Sequence, residues 1–213
     1  MGTLESKTVY NNLIWVREGT YDQAIFQSVY EKNEYQINNF KEKTVVDIGA
    51  HIGSFSLLAA HKGAKKVYAY EPDAESFQIL ERNVNGTCVN AYNMGVHEED
   101  DCGLKMVYSS DEQNTGGCQT IVCAESNVRS ITLDTIIKKV GKIDLLKLDC
   151  EGAEYLAILN SKRLKRVKAI FGEYHGPDFY PFDDLKQKLD EEGFFCGYKP
   201  VNNNLGYFHA IRL

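Results

Sequence analysis

Residues 44–53 of this chain, TVVDIGAHIG, decide the fold that we predict for it. The largely apolar first half is typical of a strand that is buried in a parallel sheet. Gly49 and Gly53 then mark a turn, and the following segment SFSLLAAH, residues 54–61, continues as a helix. Because glycine lets a backbone approach a ligand closely and a helix N-terminus offers free N–H groups, this turn predicts a binding site.

An acidic residue ends the next apolar run, where residues 67–70 lead into Glu71. A carboxylate at that position can accept hydrogen bonds from both hydroxyls of a ribose. The spacing from Gly49 to Gly53 is G-x-x-x-G, which differs from the G-x-G-x-x-G pattern that seats a pyrophosphate. Asp47 would also repel a pyrophosphate, whereas it suits a cationic ligand. S-adenosylmethionine (SAM) has a sulfonium, an amino group and a ribose but no phosphate, and it is the predicted ligand.

The length and composition of the chain limit the classes of protein to which it can belong. The length of 213 residues and an apolar content of 43% suit one globular domain. A net charge of -6 argues against a duplex nucleic-acid partner, and we predict none. We also expect no membrane partner, since no apolar run approaches the ~18 residues of a membrane span. No signal peptide is expected, because the start of the chain, MGTLESK, has no apolar h-region. The six cysteines lack C-x-x-C spacing, which favours free thiols and a cytoplasmic location.

Strands and helices alternate along most of the chain, which predicts an α/β fold. The predicted strands are residues 45–48, 67–71, 88–92, 143–148 and 167–171. The predicted helices are residues 54–61, 73–85, 131–140, 152–159 and 182–192. A closing hairpin is predicted from residues 194–198 and 206–213, with its turn at residues 202–204. This order indicates a mostly parallel sheet with helices on both faces and an antiparallel C-terminal edge strand.

Two segments lie outside this alternation. Residues 1–40, with a predicted helix at 21–30, are expected to form an N-terminal cap over the ligand cleft of a domain at residues 41–213. Residues 97–130 form a long connection with one predicted strand at 104–108, and connections of this length are usually functional or disordered. The parts expected to shape an acceptor pocket are residues 10–40, residues 108–128, Phe179, Tyr180 and Phe182.

Four segments together resemble the FkbM-type SAM-dependent methyltransferases, over residues 14–213. They are REGTYD (17–22) with NEY (33–35), VDIGAHIGS (46–54), EPD (71–73), and DLLKLDCEGAE (144–154) followed by EYH (173–175). The resemblance implies a Rossmann-like seven-stranded fold, SAM as methyl donor, S-adenosylhomocysteine (SAH) as product, and usually O-methylation. Because the family serves diverse acceptors, the acceptor stays open between a hydroxyl of a small molecule and one of a glycan.

The predicted SAM site can be assigned to individual residues. Asp47 is expected to order the glycine turn and face the methionine amino group, unless it only caps the turn. His51 either contacts the methionine carboxylate or is a surface histidine without a role. Asn93 falls where the adenine edge should lie. The predicted SAM-binding residues are Asp47, Gly49, Ala50, His51, Gly53, Ser54, Glu71, Pro72, Asp73, Asn93, Met94 and Gly95.

The predicted catalytic residues are Asp149, Glu151, Glu173 and His175. Asp149 ends a strand at the ligand edge, while Glu151 is equally explained by the dipole of the helix that it begins. Glu173 and His175 point to the same side of an extended segment, where a histidine can act as a general base. The acids Asp149, Glu151 and Glu173 could hold a divalent metal. No tight metal motif is present, however, and we predict none.

Three rival functions remain at this point. A methyltransferase acting on nitrogen would share every SAM motif. An NAD-dependent oxidoreductase would share the acid after the second strand, but the glycine spacing and Asp47 count against it. A non-catalytic SAM-binding module is the third. Monomer and homodimer are both compatible with the sequence.

Overall fold

A computed structural model describes residues 3–9, 12–126, 128–175, 182–202 and 205–212. Its strands are β1 (Leu4–Val9), β2 (Asn12–Arg17), β3 (Thr44–Ile48), β4 (Lys66–Tyr70), β5 (Val89–Tyr92), β6 (Met94–Val96), β7 (Gly103–Val107), β8 (Gln119–Val122), β9 (Val128–Ile131), β10 (Leu145–Leu148), β11 (Ala169–His175), β12 (Phe194–Pro200) and β13 (Leu205–Arg212). Its α-helices are α1 (Asp22–Phe26), α2 (Ser54–His61), α3 (Ala74–Val84), α4 (Leu133–Val140), α5 (Ala153–Asn160) and α6 (Phe182–Glu191).

The central sheet has seven strands in the order β12-β13-β11-β10-β3-β4-β5. The strands from β11 to β5 pair in parallel, and β13 pairs antiparallel with both β11 and β12. This confirms the predicted Rossmann-like α/β fold and its closing hairpin. The antiparallel strand β13 lies one position in from the edge, because β12 folds back along its outer side.

Both faces of the sheet are covered, as the apolar strands require. On one face, Val46 and Ile48 pack in a core with residues of α4, α5 and α6. On the other, Val45 and Leu145 pack with α2 and the segment that precedes β3. The alternation of neighbouring residues between these faces sends Asp47 to the α2 side, together with the polar residues discussed below. Among the described residues, no helix is long and apolar enough to cross a lipid bilayer.

Residues 97–130 differ from the expectation of a largely irregular connection. With β6, they form a second sheet of four strands in the order β6-β9-β7-β8. The helix predicted from Ile131 begins at Leu133, because residues 128–131 are strand β9. Thr132 caps that helix, its hydroxyl accepting the Thr135 N–H at 3.1 Å. Short, partly polar strands give a weak periodic signal, which explains why the sequence indicated only one of them.

The N-terminal segment also contains unpredicted structure. β1 and β2 form an antiparallel hairpin, and the Asn83 side chain on α3 binds the backbone N–H and carbonyl of Trp15 on β2. The predicted helix at 21–30 is α1 continued by a π-helical turn, Gln27–Glu31. The predicted pocket residues Phe179 and Tyr180 and the turn residues Asn203 and Asn204 lie outside the described residues.

One buried carboxylate links two peripheral segments. Asp22, which is 0% exposed, accepts the Arg17 Nε–H at 2.9 Å. It also accepts the hydroxyl of Thr115, from the 97–130 connection, at 2.6 Å. The N-terminal segment is thereby tied to the 97–130 connection.

We expect Asp22→Ala to lower the free energy of unfolding by about 3–5 kcal/mol, because it removes the carboxylate 2.9 Å from the buried Arg17 guanidinium and leaves the more distant Asp73, at 3.9 Å, as its acidic partner. Urea denaturation measures this loss. The exposed Glu18 provides the control, and Glu18→Ala should change stability by less than about 0.5 kcal/mol. Equal stability of the two variants would show that the Asp22 network contributes nothing.

Candidate active site

A cavity of about 370 Å³ lies at the carboxyl ends of the parallel strands. In open α/β sheets, this is the edge at which ligands bind. Side chains of α1, the π-helical turn and residues 114–118 close it from the other side. The predicted site residues that line it are Gly49, His51, Glu71, Pro72, Met94, Gly95, Asp149, Glu151 and Glu173.

Gly49 occupies a position that only glycine fits. Its φ is +74°, and a Cβ atom there would lie 1.7 Å from the carbonyl oxygen of Asp149. The turn that follows is held by the Tyr70 carbonyl, which accepts the N–H groups of Gly49 and Ala50 at 3.0 Å each. The backbone just after β3 therefore lies in direct contact with the backbone just after β10 at the cavity floor.

Glu71 is fixed by backbone groups. One carboxylate oxygen accepts the His51 N–H at 2.7 Å and the other accepts the Asp73 N–H at 2.8 Å. Burial raises the pKa of Glu71 to about 7. A carboxylate held in this way keeps lone pairs for hydroxyl donors in the cavity.

His51 lies at the cavity wall in a network of polar side chains. Its Nε2 is 2.9 Å from an Arg17 nitrogen and 3.1 Å from the Thr115 hydroxyl. Burial lowers the pKa of His51 to about 4, so the ring is neutral at physiological pH. Its backbone N–H orients Glu71, a contact that the sequence did not indicate.

The predicted residues that are absent from the cavity lining are Asp47, Ala50, Gly53, Ser54, Asp73, Asn93 and His175. Three of them build the loops around the cavity instead. Asp47 accepts the Ser56 hydroxyl at 2.7 Å, and Asp73 caps α3 by accepting the Ser76 N–H at 2.8 Å. The Asn93 amide donates to the Glu71 and Pro72 carbonyls at 2.9 Å each, which fixes the turn after β4.

Lys147 is a buried site residue that sequence reasoning missed. Its ammonium lies 3.2 Å from Asp47 and 3.6 Å from Asp149, and it donates to the Gly49 carbonyl at 2.6 Å. Burial alone would lower the pKa of Lys147, but the carboxylates of Asp47 and Asp149 raise it. A lysine inside the apolar run LLKL was the signal that could have revealed it.

His175 stands behind the cavity among three glutamates. Its Nδ1 is 3.2 Å from a Glu154 carboxylate oxygen, and its Nε2 is 3.6 Å from oxygens of Glu151 and Glu173. Burial alone would lower the pKa of His175, but the hydrogen bond to Glu154 and the surrounding carboxylates raise it to about 10. The ring is therefore charged at neutral pH, which contradicts the expectation of an ordinary histidine pKa.

Two of the acids around His175 have raised pKa values. Burial raises the pKa of Glu151 to about 7 and that of Glu173 to about 8. The Tyr35 hydroxyl donates to Asp149 at 2.8 Å. Ligand atoms of Asp149, Glu151 and His175 all lie within 4.8 Å of one another, so these residues could hold a metal ion.

The charged side chains of the described residues that line the cavity are all acidic. Its acidic lining residues are Glu34, Glu71, Asp149, Glu151 and Glu173. Within the described part of the chain, no lysine or arginine lines it. Such a wall suits neutral or cationic ligand groups and disfavours phosphates.

Comparison with known proteins defines the class to which this fold and site belong. The chain belongs to the family of the methyltransferase FkbM domain, whose family model matches residues 47–200. The family resemblance of the sequence is thereby confirmed, and SAM is the cofactor, as predicted.

Individual relatives agree with this class. The chain is 29% identical over 187 residues to methyltransferase sdnD of Sordaria araneosa, covering 80% of this chain and 65% of that relative. Pyrococcus horikoshii TYW2, solved with MeSAdo, superposes with a TM-score of 0.55 at 15% identity, covering 99% of this chain and 70% of that chain. The precorrin-6y C5,15-methyltransferase of Geobacter metallireducens gives a TM-score of 0.53 at 12% identity, covering 93% of each chain. At these identities, the structural likenesses show the fold.

The His175–Glu154 contact has a measurable consequence. Because the folded pKa of His175, about 10, exceeds the ordinary value of about 6.5, its contribution to stability is complete below about pH 6.5. That contribution is lost as the pH rises through about 10. We expect Glu154→Gln to lower the pKa and to diminish this loss of stability, as measured by imidazole ¹⁵N shifts and by urea denaturation across this range.

Glu98→Gln, at an exposed acid, is the control for this experiment and should leave both readouts unchanged. A His175 pKa near 6.5 in the unaltered protein would contradict the assigned contacts.

Proposed function

We propose that this protein is a SAM-dependent methyltransferase that methylates a hydroxyl group of a small molecule or a glycan. The observation that carries the proposal is a single arrangement. Glu71, whose carboxylate is fixed by backbone N–H groups, lines the cavity at the carboxyl edge of the sheet. The same cavity is lined by Glu151 and Glu173, whose pKa values lie near neutral pH. Glu71 is suited to binding the cofactor, and Glu151 and Glu173 are suited to removing a proton from an acceptor.

For the cofactor, Glu71 is assigned to the ribose hydroxyls, and Met94 and Gly95 to the adenine ring. Gly49 and His51 are assigned to the methionine part. Other predicted cofactor residues contribute indirectly, because they hold the turns that carry these residues. They are Asp47, Ala50, Gly53, Ser54, Asp73 and Asn93. SAM supplies a methyl group on a sulfonium, which is already a strong electrophile, so the protein mainly aligns the reactants.

For the acceptor, Glu173 is assigned as the general base. Its pKa of about 8 lies near physiological pH, where a base works efficiently. With SAM bound, Glu173 would accept the proton of the acceptor hydroxyl, and the hydroxyl oxygen would receive the methyl group that SAM supplies. His175, as an imidazolium, is a positioning residue for Glu173 and Glu151, and Asp149 faces the reacting groups.

Residues 1–40 are proposed to cap the cofactor and acceptor, because α1 and the segment after it contribute Ile25, Ser28 and Glu34 to the cavity. The absence of cationic side chains from the described lining supports an acceptor without phosphate, and hence no nucleic acid. A cytoplasmic location is consistent with six free cysteines.

A second candidate function is methylation of an amine. The acidic lining favours it, because an ammonium group would find complementary charge at Glu34, Asp149 and Glu151. A non-catalytic SAM-binding module is the third possibility, and it predicts cofactor binding without transfer.

The proposed function is tested by calorimetric titration with SAM, SAH and NAD. Tritiated methyl transfer from SAM to fractionated small molecules and glycans follows, with products identified by mass spectrometry. Binding of SAM and SAH with a labelled methyl ether is the expected result. A labelled methylamine would select the second candidate, and binding of NAD alone would refute the methyltransferase assignment.

Glu71→Ala should weaken SAM binding by about 10- to 150-fold, because a charge-assisted hydrogen bond is worth about 1.5–3 kcal/mol. Calorimetry measures the change. Glu81→Ala, at an exposed acid on α3, is the matched control and should bind SAM normally. Unchanged affinity in Glu71→Ala would remove the ribose assignment.

Glu173→Gln should reduce methyl transfer by about 10²- to 10⁴-fold, the usual contribution of a general base, while SAM affinity is kept. The tritium assay with the identified acceptor measures this. Glu191→Gln, on α6 and outside the cavity lining, is the control. Normal transfer in Glu173→Gln would assign the proton to another group.

A further inference from the structure

A groove of about 620 Å³ lies beside the cavity, on the sheet face of β11, β13 and β12. On the opposite face, Ile170, Tyr174 and Phe208 are buried in the core formed with α5 and α6. On the groove face, Phe171 is half-buried, and its register partner His209 is exposed. The groove is bounded on its other side by the segment before β3, which includes Gln36.

The groove is continuous with the cavity. Ser28 and Glu34 line both, and the Ser28 hydroxyl donates to Glu34 at 2.6 Å. Two tyrosines of the groove also reach the catalytic acids. The Tyr35 hydroxyl donates to Asp149 at 2.8 Å, and Tyr207 lies beside Glu173, its register partner on β11. A molecule in the groove therefore extends toward the proposed base.

The groove presents flat rings. Phe171 and His209 are stacked with centroids 6.4 Å apart and an interplanar angle of 28°. The His209 ring lies over Gly197 of β12, where a Cβ atom would be 2.4 Å from it, so the glycine makes room for the ring. Lys199 and Glu34 add polar groups. Aromatic faces with a few polar groups suit a ligand that has a flat, ring-shaped body and hydrogen-bonding substituents.

We propose that this groove binds the ring-bearing body of the methyl acceptor, whose nucleophile reaches the cavity past Glu34. This inference rests on the proposed function. The shared chemistry of the occupant is a ring that stacks on Phe171 and His209, and either the apolar face of a sugar or an aromatic ring provides it. The charge of the cavity wall requires the reacting end of that molecule to be neutral or cationic.

The test is an amide NMR titration of the ¹⁵N-labelled full chain, saturated with SAH, in two arms. Methyl β-D-glucopyranoside is the sugar probe, and phenol, which is uncharged at neutral pH, is the aromatic probe. We expect at least one probe to shift the amides of Phe171, Lys199 and Tyr207, and the arm that does so identifies the ring type. His209→Ala should weaken that binding about fivefold, as expected for one lost ring contact, with SAH affinity unchanged.

Phe195→Ala is the matched control, because Phe195 is 70% exposed on the same sheet face and lies outside the groove lining. It should bind the probe like the unaltered protein. SAH binding without groove shifts from either probe, or equal probe affinity in His209→Ala, would overturn the groove proposal alone. Failure of SAH itself to bind would instead overturn the proposed function and this inference with it.

Discussion

The buried ammonium of Lys147 is the interaction on which the rest of the site depends. It joins the carboxyl ends of two neighbouring strands, since Asp47 and Gly49 belong to the end of β3 and Asp149 follows β10. Asp47 is 0% exposed, and a buried carboxylate without its partner costs about 3–5 kcal/mol. The same contact sets the distance between the glycine turn and Asp149. The two parts of the cavity that we assign to the cofactor and the acceptor are thus held together by one cation.

Electrostatic balance explains why the cavity has carboxyl groups whose pKa values lie near neutral pH. The cations Lys147 and His175 stand behind the wall, and the acids face the cavity. Burial raises the pKa values of Glu151 and Glu173 to about 7 and 8, and His175 and Lys147 oppose this rise only in part. A cationic cofactor such as SAM complements the acids of the wall. The proposed proton transfer thus depends on this group of buried acids rather than on any single reactive residue.

The sequence predicted those features that local patterns encode. The glycine turn after β3, the acid after β4 and the strand–helix alternation are each visible within a few residues, and the fold that they predicted is confirmed. The network of Lys147 was not visible, because it depends on the parallel register that places Lys147 beside Asp47. The raised pKa of His175 likewise depends on Glu154, which lies on a different element. Asn93 was expected at the adenine edge, but its amide finds closer partners in the carbonyls of the preceding turn.

The carboxylate of Asp22 has a mechanical consequence for access to the cavity. It joins Arg17, on the N-terminal side of the cavity, to Thr115, on the 97–130 side, and both contact His51 on the cavity wall. Two separate stretches of chain that cover the same opening are therefore coupled through one residue. Neither can swing away without either breaking a desolvated charge pair or taking the other along. A ligand that enters or leaves on this side therefore requires either that the two flanking segments move together or that the contacts of Asp22 break.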